Sequence, residues 1–325
     1  MKKHDLDRST IPLAARRYLP WMLILFVGSG CAALIYEVVW LQLLQLVIGS
    51  TGISLGVLLG IFMGGMCLGS LLLPRLIPSH HHPLRVYAFL ELGIGIFAIG
   101  ILYSLPLLSD IYEGFVGHGA GHRAVIAAVC LLPPTVLMGA TLPAIARWVK
   151  ATPEGVSWMG FFYAGNIAGA VLGCLLAGFY LLRVHDMPTA TYVAVGIDAA
   201  VTVVALALAS GAPFSAEHAG PTETSIKEAP GRFGVYVVIG LSGLCAMGAE
   251  VLWTRLLSLI LGGTVYTFSI ILAIFLLGLG IGSSAGAYLA RKIHNARAAL
   301  GICQILVAAA TAWAALIINR IPYWP

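Results

Sequence analysis

The sequence predicts an all-α protein that crosses a membrane about nine times. Hydrophobic residues make up 60% of the chain and charged residues only 10%, whereas soluble domains carry about 25% charged residues. The mean hydropathy is +0.96, and the apolar residues fall in runs of about 20 residues, enough to cross a hydrocarbon core of roughly 30 Å. Because backbone groups must bond internally in lipid, and these runs are too long for barrel strands, we expect helices.

Short polar turns divide the apolar residues into nine expected spans. Their limits are 20–48, 52–74, 85–108, 123–147, 157–182, 188–210, 233–261, 265–289 and 298–318. The first span follows a basic tail but is too long for a signal peptide and lacks a small-residue cleavage site, so we interpret it as retained. Pro133, Pro134 and Pro143 predict a kink or break in the fourth span. That irregularity would either line a binding site or be a static kink.

Lys and Arg residues fall mainly on one side when the N-terminus is placed in the cytoplasm. The other side then keeps only Arg123, Arg183 and Arg320. By the positive-inside rule we expect a cytoplasmic N-terminus. The basic residues lie at helix ends, so the net charge of +5 does not predict nucleic-acid binding.

An internal repeat is the strongest single pattern, since residues 29–70 recur without a gap as residues 242–283. Identical residues at matched positions are Ser29, Gly30, Glu37, Val38, Trp40, Gly49, Thr51, Phe62, Gly65, Gly69 and Ser70, which fall on Ser242, Gly243, Glu250, Val251, Trp253, Gly262, Thr264, Phe275, Gly278, Gly282 and Ser283. The same register places Glu91 on Gln304.

The repeat predicts the domain organisation. Residues 1–210 form a first membrane repeat of about six helices, residues 211–232 a polar linker rich in Pro and Gly, and residues 233–325 the first three helices of a second copy. An even number of spans gives both copies the same orientation, as in parallel-repeat transporters. The other helices of the second copy would come from further sequence or from a partner.

Acidic residues inside the spans are the candidate site. Glu37 and Glu250 occupy matched positions, each three residues before a Trp. A charged group at mid-membrane costs about 2.5–3.5 kcal/mol on insertion scales, so such acids mark binding or proton transfer by default. The alternative is a protonated Glu that is hydrogen-bonded to a neighbouring helix.

Other polar residues extend this candidate site. Glu91 and Asp198 are two further intramembrane acids, and Asn166 and Tyr163 in the fifth span could be hydrogen-bond partners of Asp198. Three further residues could contribute to a cation site or to packing; they are Trp40, Trp253 and Arg255. The two Trp rings could stack on a cation or pack, whereas Arg255 could pair with an acid or extend towards the membrane surface.

The sequence predicts no catalytic residue, cofactor or metal. A Gly-rich phosphate loop, a nucleophile elbow, an HExxH motif and a CxxC pair are all missing from the sequence. Six cysteines lie singly in apolar runs, where we expect them to pack as small side chains.

Several segments resemble the membrane domain of bacterial fused spermidine synthase-like proteins, which is major-facilitator-like. The segments are ALIYEVVWLQLL, FMGGMCLGS, PPTVLMGATLPAIARW, YAGNIAGAVLGCLLAGFYLL and AEVLWTRLLSLILGGTVYTFSIILAIFLLGLGIGS. The resemblance implies the bacterial inner membrane and a soluble aminopropyltransferase-like domain joined to the membrane part. The cofactor loop and catalytic Asp of that domain have no counterpart in this sequence.

Three functional hypotheses follow. The first is transport of a polyamine-like cation or of protons, or a scaffolding role in the lipid bilayer. The second is a membrane anchor for an aminopropyltransferase whose catalytic domain is not on this chain. The third is an accessory subunit of a larger membrane complex.

Overall fold

The computed structural model describes residues 18–48, 52–78, 80–115, 120–149, 155–211, 232–290 and 295–318. Within these ranges all regular secondary structure is helical, and nine helices are long and apolar enough to cross a membrane. They are α1 (Leu19–Ile48), α2 (Gly52–Leu76), α3 (Pro83–Phe115), α4 (Ala120–Val149), α5 (Gly155–Leu176), α6 (Met187–Gly211), α7 (Arg232–Leu261), α8 (Val265–Ala290) and α9 (Ala296–Ile318). The predicted multi-pass membrane architecture is confirmed at this level.

The first six helices form a packed bundle, with α1 at its centre. Helix α1 packs along α5 and α6 and touches α2, α3 and α4. Helix α3 packs against α4 and α6, and α2 against α4. Because lipid gives helices little hydrophobic reason to associate, this packing depends on close contact between backbones. At Gly69 a Cβ atom would overlap the Val136 carbonyl of α4, so the α2–α4 contact requires glycine there.

The last three helices are much less buried. Helix α8 docks on the bundle along α5, where the Cys174 thiol donates a hydrogen bond to the Ser269 carbonyl over 3.3 Å. Helix α7 packs against α8 and touches α2. No described side chain of α9 is buried, although Gln304 Nε2 donates a hydrogen bond to the Ser242 hydroxyl of α7 over 3.1 Å.

The α7–α8 turn shows how local sequence ends one helix and begins the next. Gly262 has φ +92°, a left-handed conformation that glycine adopts at no steric cost. Two residues later, the Thr264 hydroxyl accepts a hydrogen bond from the Thr267 amide over 3.3 Å and caps α8. The two helices therefore reverse direction within three residues, and the turn faces the polar cavity described below.

The prolines of α4 do not break it. The helix runs from Ala120 to Val149 with Pro133, Pro134 and Pro143 inside it, so the break that these residues predicted is wrong. A helical irregularity lies instead at the end of α5, where a π-helical segment, Ala177–Leu181, leads into a last turn, Leu182–Val184. The basic tail and most of the predicted linker lie outside the described residues; Gly211 ends α6 and Arg232 begins α7.

Candidate functional site

Two repeat-matched acids, Glu37 and Glu250, are buried on α1 and on α7, respectively. Only 2% of Glu37 and 4% of Glu250 is exposed, and the two carboxyl groups lie within electrostatic range of each other. Glu37 Oε1 has no hydrogen-bond partner among the described residues. We call Glu37 and Glu250 the acid pair.

Helix α7 turns a partly polar side towards the bundle. Among its side chains whose burial is described, only Glu250 and Thr254 are buried, and they lie one helical turn apart. The Thr254 hydroxyl has no hydrogen-bond partner among the described residues. Met247 and Val251 are partly buried and pack against the apolar core, whereas Leu244 and Leu252 are exposed. The side of α7 that meets the bundle therefore combines two buried polar residues with partly buried apolar ones.

A second set of buried polar groups lies inside the bundle, and we call Tyr36, Glu91 and Asp198 the inner cluster. The Tyr36 hydroxyl donates a hydrogen bond to Asp198 Oδ2 over 2.7 Å. Glu91 and Asp198 are each 1% exposed, and the Glu91 carboxyl is within hydrogen-bonding reach of Asp198, Ser29 and Tyr87. Glu91 Oε1 and Asp198 Oδ1 have no partner in the described part of the chain. Two carboxyl groups so placed can hold a proton between them.

The two sets of acids are separate but adjacent, because Tyr36 and Glu37 are consecutive residues of α1. Successive side chains of a helix point about 100° apart. The Tyr36 side chain therefore lies in the inner cluster and the Glu37 side chain in the acid pair. Helix α1 contributes a residue to both sites.

Trp40 is a packing residue. It is 1% exposed, stacks on Tyr36 with ring centroids 5.5 Å apart and packs against Phe62 with centroids 6.3 Å apart. Both neighbouring rings belong to the hydrophobic core, so the packing interpretation holds for Trp40. Trp253, at the matched position, is half-buried on α7.

The expected partners of Asp198 are wrong. Asn166 Nδ2 donates instead to the Phe26 carbonyl over 3.5 Å, where α5 packs against α1. Tyr163 is 38% exposed, and no hydrogen bond joins it to Asp198 within the described ranges. The actual donor, Tyr36, lies on α1, and no periodicity or spacing in the sequence indicates its contact with α6.

A polar cavity lies one helical turn beyond the acid pair, at the end of the bundle where the α7–α8 turn lies. It encloses about 160 Å³. Its polar lining is Gln42, Gln45, Thr254, Arg255, Ser258 and Thr264. Arg255 therefore faces this cavity, and it forms no ion pair with an acid among the described residues.

Apart from Arg255, the cavity lining was not predicted from sequence, although the repeat carried a usable signal. Four matched pairs line the cavity together: Leu41 with Thr254, Gln42 with Arg255, Gln45 with Ser258, and Leu55 with Phe268. All follow the acid pair in the same register. Tracing each copy from its Glu towards the end of the same helix would have nominated the first three pairs, whereas Leu55 and Phe268 lie on the following helices.

Neither a protein-family model, nor a curated protein, nor a solved structure matches this chain.

Proposed function

We propose that this multi-pass membrane protein binds a cationic solute, polyamine-like in character, at the acid pair and carries it across the bilayer. One observation carries the proposal: α7, a helix that is otherwise largely exposed, buries only Glu250 and Thr254 among its described side chains, and the Glu250 carboxyl lies within electrostatic range of Glu37. Two buried acids with no basic partner among the described residues are costly in a membrane. A bound cation or proton would offset that cost.

Matched residues support a two-copy, same-orientation arrangement around this site. Ser29 lies at the Glu91 carboxyl, and the matched residues Ser242 and Gln304 share a hydrogen bond. The acid pair and the cavity lining also combine matched residues from both copies. Sites between repeats near the bilayer midplane are typical of transporters that alternate their access to the two sides.

We further propose the topology that the positive-inside pattern indicates, with a cytoplasmic N-terminus in a bacterial inner membrane. The polar cavity then opens on the outer side. A solute entering there would reach Glu37 and Glu250 next, after about 6 Å along the helix axes for one helical turn.

Uptake into proteoliposomes tests the proposal. We expect the purified chain to accumulate labelled putrescine or spermidine, and Glu37→Gln or Glu250→Gln to abolish uptake while the protein remains folded. Glu91→Gln, which removes a buried acid outside the acid pair, is the matched control and should retain uptake. If both acid-pair variants transport like wild type, the acid pair is not the cation site.

A second candidate role is membrane scaffolding, either as an accessory subunit or as the anchor of an aminopropyltransferase-like enzyme. It is supported by the exposed surfaces of α7 and α9 and by the family resemblance. Membranes that contain the native protein should then form spermidine from decarboxylated S-adenosylmethionine and putrescine, and mild detergent should release stoichiometric companions. Absence of both results would count against this role.

A further inference from the structure

The polar cavity offers hydrogen-bond donors and no negative charge. Among its described lining residues none is acidic, and residues 49–51, which connect α1 to α2, contain no acid either. The Arg255 guanidinium and the Gln42 and Gln45 amides supply N–H donors, and the Thr254 and Ser258 hydroxyls supply O–H donors. A lining of this kind is suited to an anionic group.

Several of these donors have no partner among the described residues. In the described part of the chain, Arg255 has no carboxylate partner, Gln42 and Gln45 make no side-chain hydrogen bond, and the Thr254 hydroxyl is buried without a partner. Arg255 is exposed, Gln42, Gln45 and Ser258 are partly buried, and Thr254 is buried. Because buried polar groups normally find partners, the unsatisfied Thr254 hydroxyl indicates a ligand or water in the cavity.

Arg255 breaks an otherwise matched arrangement. In the first copy its position is occupied by Gln42, and both residues line the same cavity. At the two other matched positions, Leu41 with Thr254 and Gln45 with Ser258, both residues are uncharged. The difference in formal charge between the two sides of the cavity is therefore a single arginine.

The cavity and the acid pair lie next to each other. Thr254 lines the cavity and follows Glu250 by one helical turn, as Leu41 follows Glu37. Four or five residues of helix separate the positive and negative groups, a rise of about 6–8 Å. A small linear molecule with opposite charges at its ends could reach both.

We propose that the solute is a zwitterion, whose carboxylate binds Arg255 in the polar cavity while its ammonium group faces Glu37 and Glu250. This inference rests on the proposed cation site and replaces the polyamine-like solute with a molecule that has one ammonium and one carboxylate end. Arg255 acts as a specificity residue, because a guanidinium beside the second ammonium group of a diamine is repulsive, whereas beside a carboxylate it forms a charge-assisted hydrogen bond.

Three probes of the same carbon-chain length separate the possibilities: putrescine with two ammonium ends, γ-aminobutyrate with one of each, and succinate with two carboxylates. Their affinities for the purified full chain would be measured by isothermal titration calorimetry. We expect γ-aminobutyrate to bind more tightly than putrescine by at least about tenfold, the scale of one charge-assisted hydrogen bond.

Arg255→Gln is the decisive variant, because it installs the residue that the first copy already carries at this position. We expect it to remove the preference for γ-aminobutyrate over putrescine, and Arg255→Lys, which keeps the charge, to preserve part of it. A preference for putrescine in wild type, or a ratio unchanged by Arg255→Gln, would overturn the proposal while leaving the cation site in place.

The remaining outcomes distinguish this inference from the proposed function. If succinate binds in an Arg255-dependent manner and neither ammonium-bearing probe binds, the zwitterion proposal and the cation site both fail and an anion site remains. If no probe binds, the zwitterion proposal is overturned as well. We expect Glu250→Gln to weaken the binding of γ-aminobutyrate and of putrescine to the same extent. A loss of affinity seen only for γ-aminobutyrate would therefore be assigned to its carboxylate end.

Discussion

Tyr36 and Glu37 show how much depends on a single residue step in α1. The Tyr36 hydroxyl satisfies Asp198 inside the bundle, whereas the next side chain lies within electrostatic range of Glu250 on another helix. Sequence reasoning found Glu37 because an acid in an apolar run is conspicuous. It missed Tyr36, because a tyrosine among apolar residues is equally typical of packing.

Replacing Tyr36 with Phe should destabilise the protein. The change removes the donor to Asp198 Oδ2 and leaves a buried oxygen unsatisfied, which costs about 1–3 kcal/mol. The thermal unfolding midpoint of the purified chain in detergent would fall. Tyr163→Phe is the control, since that exposed hydroxyl is not bonded to Asp198, and it should leave the midpoint unchanged. Equal effects of the two substitutions would contradict the inner-cluster geometry.

Asp186 makes a pH-dependent contribution outside the spans. Its Oδ1 accepts a hydrogen bond from the Thr189 amide over 2.9 Å and caps α6. Hydrogen bonds from the Thr189 side chain and backbone lower the pKa of the Asp186 carboxyl below its ordinary value. A depressed folded-state pKa stabilises the fold above the ordinary carboxyl pKa, and that stabilisation is lost as the pH falls through the folded-state value.

Asp186→Asn tests this contribution. Asparagine keeps a capping oxygen but has no charge to lose, so the variant should lose less stability on acidification than wild type. Unfolding midpoints measured at neutral and acidic pH would show the difference. Asp186→Ala should lower the midpoint at neutral pH, because it removes the cap altogether. Parallel pH profiles for wild type and Asp186→Asn would exclude this role.

Among the helices, α2 and α8 present matched glycines to different surroundings. Gly69 of α2 meets the Val136 carbonyl of α4, whereas a Cβ added at Gly282 of α8 would meet no described neighbour within 4 Å. In a helix interior, Gly is about 1 kcal/mol less favourable than Ala. Replacing a glycine that permits close helix contact should therefore lower stability, whereas replacing a glycine with open space beside it should not.

Gly69→Ala should be destabilising by about 1–3 kcal/mol, the usual cost of overpacking. Gly282→Ala, the repeat-matched control, should be neutral or slightly stabilising. Thermal unfolding of the two variants would measure this difference. Comparable losses at both positions would mean that the surface of α8 at Gly282 is covered in the native membrane.

The helices were largely predictable from sequence, and their contacts were not. Apolar runs place α6 and α8 within a few residues of their observed limits, because lipid leaves the backbone no alternative to helix. Pro133 and Pro134 misled the prediction for α4, since flanking helices stabilise a helix that contains proline. The partner of Asp198 depends on how α1 and α6 are rotated, and hydropathy carries no information on rotation.

For the whole molecule, the positive-inside pattern makes a direct prediction about sidedness. The α2–α3 connection contains His81 and the α5–α6 connection contains His185, both exposed. An odd number of spans, α3, α4 and α5, separates these connections, so they lie on opposite sides of the membrane.

Single cysteines at these two positions would establish the orientation. In a background without the native cysteines, an impermeant thiol reagent added to intact cells should label His185→Cys. It should label His81→Cys only after the membrane is permeabilised. The reverse result would place the N-terminus outside and move the polar cavity to the inner side.

The internal repeat predicts residues of the candidate site better than it predicts how the helices pack. Matched residues can be identified by aligning the chain with itself, and Glu37 with Glu250 do come together. What the repeat could not reveal was Arg255 facing the same cavity as Gln42. That position depends on how α7 is placed against the bundle, which is a property of the whole assembly.

The partly polar side of α7 also constrains how the protein is made. Glu250 and Thr254 are its buried side chains among those described, and a helix entering lipid alone would expose them to hydrocarbon, at a cost of about 2.5–3.5 kcal/mol for a charged group. Burial of these side chains requires that the helices on which α7 docks are already in place. Biogenesis should therefore be sequential, with the six-helix bundle acting as the template that retains α7 in the bilayer.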